Sequence, residues 1–169
     1  MQLLEAYKER FHTLHTVCEV EKGVWAVPHS TENLDGMGRR AHMYRKVGDE
    51  FIADDFAHEQ SVVFETGKGL VIFNSCSHGG IVNIVREVQM ALGGQKVYAV
   101  VGGFHMMKLS GMDTLAIPEE EVVETAQELK GLGVEEIYTG HCTGNIAFRI
   151  LKKELGEMVH VLGTGETVV

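Results

Sequence analysis

The sequence predicts an α/β protein, and three observations carry that expectation. From residue 70 onward, short apolar runs alternate with helical periods, in the order strand, helix, strand, helix, strand, helix, strand. That alternation is the signature of crossovers above a mainly parallel sheet. Upstream, "SVVFETGKGLVIFN" sets two β-rich runs around "TGKG", a hairpin that adds antiparallel strands and makes the sheet mixed. The chain of 169 residues, 44% apolar and 23% charged, is also long enough to bury a core as a single domain over residues 1–169.

Taken in order, Leu3, Leu4, Tyr7, Phe11 and Leu14 recur at helical spacing and predict an opening amphipathic helix. Residues 17 to 28 read as one or two strands around the turn "EKG". "HSTENLDGMGRR" has no clear period and reads as a polar loop. After the hairpin, "LVIFN" leads into a helix over about 80 to 92, with Ile81, Ile84, Val85, Val88 and Leu92 on one face. "KVYAVV" leads through the loop "KLSGMDTLAI" to a helix beginning at Pro118, where a missing N–H is not needed. Glu119, Glu120 and Glu121 suit the positive end of its dipole, while Val122, Val123, Ala126 and Leu129 form its apolar stripe. "VEEIYTG" precedes a helix over about 143 to 155, capped by Thr143 and stopped by Gly156. "MVHVLG" and "ETVV" close the chain as strands.

Charge and composition exclude some classes of function. With 15 Lys+Arg against 24 Asp+Glu, the formal charge of -9 disfavours nucleic acid or an anionic membrane as the main partner. No stretch reaches the roughly 18 apolar residues of a membrane helix, and the acid-bearing N-terminus does not read as a secretory signal. Cys18, Cys76 and Cys142 are odd in number and scattered, which points away from a disulfide framework and towards a reducing, cytoplasmic setting.

Three junctions carry the chemistry: "VIFNSCSHGG", "VVGGFH" and "EIYTGH". In a parallel sheet the loops leaving the strand C-termini gather on one edge, where ligands bind. His78, His105 and His141 each follow a strand by a few residues, so topology brings them to that edge. Neutral imidazole is the commonest metal ligand, and three from one edge suit zinc or iron. Against this stands the ordinary role of a histidine as a hydrogen-bonded loop residue. Asn83, Thr143 and backbone N–H groups at the helix starts are candidates to hold an anion. Cys76 and Cys142 are soft donors in principle, but cysteine is more often a small buried side chain.

"FNSCSHGGIVNIV", "VGGFHM" and "GHCTG", in that order, resemble the later part of the metallo-β-lactamase superfamily, in the branch of the dihydropterin-ribofuranosyl-aminobenzene-phosphate synthases. The resemblance covers roughly residues 20 to 165. It implies half of an αββα sandwich, a mixed sheet with helices on one face, around a dinuclear metal centre of zinc, iron or manganese. His78 would be the shared ligand of the first metal, His141 would bind the second, and His105 would lie beside the centre as ligand or substrate contact. The superfamily's principal motif, His-x-His-x-Asp-His, is absent: "FHTLH" has another spacing and no aspartate. The resemblance therefore implies the C-terminal half of the fold. One or two ions are expected, or none in the isolated chain, because the remaining ligands must come from elsewhere.

The expected function is that of a metal-dependent hydrolase acting on a small-molecule substrate. Its expected partner is a separately encoded N-terminal half or a second copy of the chain, either of which would cover an apolar sheet face. The alternative is a non-catalytic remnant or binding module. In "DDFAHEQ", Asp55 and His58 are candidate substrate contacts, whereas Asp54 and Glu59 read as a solvated turn. Arg39, Arg40, Arg45 and Lys46 form a basic cluster that reads either as an anion contact or as a solvated loop. Trp25, Met106 and Met107 read as core or pocket wall.

Overall fold

Residues 5–165, 167 and 168 are described by the computed structural model. A seven-stranded mixed sheet forms its centre, built from β1 (Cys18–Glu21), β2 (Val24–Pro28), β5 (Gln60–Thr66), β6 (Gly69–Phe73), β7 (Val97–Gly102), β8 (Glu136–Thr139) and β9 (Val159–Val161), in that spatial order. The strands β1, β2, β5 and β6 pair antiparallel, and β6 to β9 pair parallel. The helices α2 (Ile81–Ala91), α3 (Glu119–Gly131) and α4 (Asn145–Leu155) connect the parallel strands one after another.

The parallel strands step across the sheet in one direction. Crossovers of one hand must then lay every connecting helix on the same face. Ile84, Val85 and Val88 of α2, Val122, Ala126 and Leu129 of α3, and Leu151 and Leu155 of α4 pack there on Val63, Leu70, Ile72, Val100, Ile137 and Val159. That is the main core. The opposite face carries none of these three helices. A smaller cluster of Val71, Tyr98, Ala99 and Val101 lies on it, covered in part by Leu162 and Val168. Further along the same face Val62, Phe64 and Phe73 stand 36–39% exposed, with Phe64 and Phe73 edge to face at 5.4 Å.

Several expectations need correction. The opening helix is not continued: a 3-10 turn spans Lys8–Arg10 and the backbone is extended at Phe11, whose ring, like that of Tyr7, is exposed. With no surface to bury an apolar stripe, periodicity alone does not hold a short helix. Leu3 and Leu4 lie outside the described residues. The polar stretch read as a loop contains α1 (Asp35–Ala41), and a second hairpin follows it, β3 (Tyr44–Val47) with β4 (Glu50–Ala53). Two glycines make α1 a poor helix by propensity. Gly38 is needed for packing, because a Cβ there would lie 2.2 Å from the Asp54 carbonyl oxygen. Pro118 is the N-cap of α3, one position before its first turn. Thr143 does not cap α4, whose N-cap is Gly144. Thr167 and Val168 form no strand, while Glu166 and Val169 lie outside the described residues.

Candidate metal centre

The three junctions meet at the C-terminal edge of β6, β7 and β8 and are bonded to one another. Asn74 N–H donates to the Val101 carbonyl (2.9 Å), Gly103 N–H to Ser75 (2.8 Å) and Met106 N–H to Cys142 (2.9 Å). The sulfur of Cys142 accepts the His105 N–H at 3.3 Å and lies 3.7 Å from the Cys76 carbonyl. Gly103 is required at this crossing, since a Cβ would meet that sulfur at 2.5 Å. Phe56, Ser77, His105 and His141 all adopt left-handed backbone, with φ between 48° and 53°. Non-glycine residues in that region store strain, which persists only where the surroundings enforce it.

His78 is held from behind. Its Nδ1 lies 2.5 Å from Glu59 Oε1, and Glu59 Oε2 accepts the Gly79 N–H at 3.4 Å. Antiparallel pairing explains why Glu59 is there: it immediately precedes β5, and the start of β5 shares an edge with the end of β6. Burial raises the Glu59 carboxyl, but the hydrogen bond and charge of His78 outweigh it and hold the group below its ordinary value. Phe56 stacks on the His78 ring at 4.9 Å. The Nε2 of His78 has no hydrogen-bond partner among the described residues. A histidine fixed through one nitrogen by a carboxylate, with the other free, has the arrangement of a metal-binding imidazole.

His105 lies edge-on to His78, with ring centroids 4.4 Å apart. Its Nδ1 is buried and has no hydrogen-bond partner among the described residues. Burial, followed by the proximity of His78, lowers its pKa, so the ring is neutral with a lone pair to offer. His141 stands exposed at the third junction. Among the described residues, the group of three whose donor atoms all lie within 4.8 Å of one another is Cys76, His141 and Cys142. The rim thus has two lobes, the His78–His105 pair and a sulfur-bearing group around His141. Burial pushes the Cys142 thiol up to about 12. All three cysteines are free.

A cavity of about 570 Å³ opens beside the first lobe. Ser77, His78 and His105 form part of its wall, with Met37, Phe56, Phe104, Met106 and Met107 as apolar lining. Its charged margin is largely paired, Arg40 with Glu121 (3.3 Å) and Arg86 with Glu128 (2.5 Å).

The other sequence candidates separate clearly. Asn83 lines the cavity, with its Nδ2 donating to the Gly79 carbonyl at 2.8 Å. Thr143 is wholly buried: its Oγ1 accepts the Phe104 N–H and bonds the Thr139 hydroxyl, so it braces two junctions and offers nothing to a substrate. Asp55 pairs with Arg45 at 2.6 Å, and His58 is 68% exposed beside Asp54; neither lines the cavity. Three of the four residues of the basic cluster are in ion pairs, with Arg39 on Asp35 as well. Glu59, read from sequence as a solvated turn residue, is instead the buried partner of His78. Strand pairing was the signal that would have found it.

No family model matches the chain. It is 36% identical over 126 residues to the 7,8-dihydropterin-6-methyl-4-(beta-D-ribofuranosyl)-aminobenzene-5'-phosphate synthase of Methanocaldococcus jannaschii, a match that takes in 75% of this chain and 40% of that protein. It also superposes on the crystal structure of a metal-dependent hydrolase of the β-lactamase superfamily, with a TM-score of 0.72 and 27% identity, over 90% of this chain and 56% of that one. The chain belongs to the metallo-β-lactamase superfamily. Within this superfamily it is similar to proteins considerably longer than the portion it matches: it spans 40% of the length of the curated relative and 56% of the solved hydrolase. Among the described residues no helix is long and apolar enough to cross a membrane.

Proposed function

We propose that this chain is the C-terminal half of a metallo-β-lactamase-type hydrolase and binds one or two divalent metal ions at this rim, with His78 and His105 as ligands in one lobe and His141 in the other. The observation that carries this reading is the pair of half-used imidazoles facing the cavity: His78, anchored by Glu59 on one nitrogen only, and His105, with a buried nitrogen that nothing among the described residues satisfies. A buried polar atom without a partner is costly, and a metal or its ligands would relieve that cost. The donor set of imidazoles and thiols suits zinc first, then iron or manganese. When bound, such an ion would polarise a scissile bond and activate water. The residues themselves orient the rings: Glu59 fixes the tautomer of His78, Phe56 fixes its plane, and the apolar cavity wall excludes water from an adjoining small-molecule substrate.

The sheet face opposite the three helices supports the second part of the proposal. Phe64, Phe73 and Val62 form an apolar surface that an N-terminal half of the fold, or a second copy of the chain, would cover while supplying the remaining ligands. The three free thiols fit a cytoplasmic setting. The rival reading is a non-catalytic remnant or binding module that keeps the fold. Metal analysis after exhaustive dialysis decides between them. The wild-type chain should retain zinc, iron or manganese, and the double variant His78→Ala/His141→Ala should not. A wild-type chain that holds no metal at neutral pH would favour the non-catalytic reading.

A further inference from the structure

The second lobe of the rim is chemically unlike the first. Cys76, His141 and Cys142 come from two junctions, residue 76 after β6 and residues 141 and 142 after β8, yet their donor atoms lie within 4.8 Å of one another. Tetrahedral zinc, with Zn–S of about 2.3 Å and Zn–N of about 2.0–2.1 Å, requires donor-to-donor edges of roughly 3.5–3.8 Å. Closing the group onto an ion therefore takes shifts of an ångström or less. The sulfurs are also held in place. Cys142 Sγ is wedged between the His105 N–H, the Cys76 carbonyl and the α-carbon of Gly103. Cys76 sits two residues before His78, and its loop is tied to β7 through the Gly103–Ser75 hydrogen bond.

We propose that the metal subsite at His141 is a sulfur-rich one, in which Cys76 and Cys142 bind as thiolates beside the imidazole. This rests on the reading of the chain as metal-binding and assigns the donor set of one of its subsites. Three protein donors leave the fourth position of a tetrahedral ion open, as catalytic zinc sites do. Binding releases one proton from each thiol, because a coordinated thiol is deprotonated by the ion itself. Two thiolates make the subsite selective for zinc, copper(I) or cadmium over manganese, magnesium and calcium. They also place soft ligands next to the His78–His105 lobe, whose donors are imidazoles.

Cobalt(II) titration of the reduced, full-length chain tests this, since a cobalt–thiolate bond gives a near-ultraviolet charge-transfer band that nitrogen and oxygen donors do not. The band should saturate at about one equivalent per chain and vanish when zinc is added. It should persist in Cys18→Ser and be lost or strongly reduced in both Cys76→Ser and Cys142→Ser. Circular dichroism of each variant checks its fold. Should the buried Cys142→Ser fail to fold, Cys76→Ser decides alone, and an unchanged band there overturns the assignment. Cobalt that binds with a visible spectrum but no sulfur band would also overturn it, while leaving a histidine-based metal site intact. A wild-type chain that retains neither cobalt nor zinc would sink both.

Discussion

Two histidine–carboxylate pairs stand near the same edge of the sheet, and they are built for different ends. His78–Glu59 lies at the rim. His29–Glu87 lies behind it, where His29 follows β2 and Glu87 is on α2: His29 Nδ1 is 2.9 Å from Glu87, and both side chains are under 10% exposed. Glu87 further accepts the Ser30 N–H at 3.0 Å and the Thr31 hydroxyl. The second nitrogen of His29 reaches the Ser61 hydroxyl at 3.4 Å, which donates to Asn74 Oδ1 at 2.6 Å. Every polar atom of the His29 ring is thus used inside the protein, whereas His78 uses one nitrogen and presents the other. A saturated ring is a fastening between β2, β5 and α2. A half-saturated ring at a cavity keeps a nitrogen to offer.

The sharpest way to break this comparison is Glu87→Ala, which strands the His29 ring, the Ser30 N–H and the Thr31 hydroxyl together. Removing one partner of a buried pair should lower stability by about 3–5 kcal/mol in urea unfolding. A loss near zero would mean that the two pairs are not different in kind. Glu59→Gln should do the reverse, leaving unfolding little changed while weakening zinc or cobalt affinity about 10–100-fold in a competition titration, as loss of a ligand's supporting carboxylate does.

Acid separates the two roles further. Burial raises the Glu87 carboxyl, but the hydrogen bonds from His29, Thr31 and Ser30 outweigh it and leave the group below its ordinary value of 4.5. Between the folded pKa and 4.5, the unfolded chain takes up a proton that the native chain refuses. Stability from this group is therefore fully present above that window and is lost as pH falls through the folded value. Replacing Glu87 with Gln should flatten this part of the stability–pH curve, measured by urea midpoints across the acid range. The smallest effect belongs to His58→Ala. An exposed ring outside the cavity should change stability by no more than about 0.5 kcal/mol and leave metal affinity untouched.

Much of the fold was legible because its signals are local. Alternating runs in "SVVFETGKGLVIFN" specified β5 and β6, and the stripe Ile81, Ile84, Val85, Val88 specified α2, because period and burial coincide along one element. The segment 35–53 was not legible. Its helix has two glycines in seven residues, and its hairpin is exposed on both faces, so neither shows an apolar period. Contact between Gly38 and Asp54 holds that segment, and no local pattern encodes such a contact.

The sequence by itself determined the strand–helix order from β6 onward and, with it, the edge on which His78, His105 and His141 would stand, because parallel crossovers leave no other place for those junctions. Only the tertiary structure decided what each imidazole and thiol faces. Glu59 is 19 positions from His78, Glu87 is 58 from His29, and Cys76 is 66 from the Cys142 sulfur it adjoins. Periodicity reports on neighbours along the chain, whereas hydrogen bonding and ligation depend on atoms that meet only after the sheet has closed. That is why the meeting of the three junctions was readable from residues and what each side chain faces there was not.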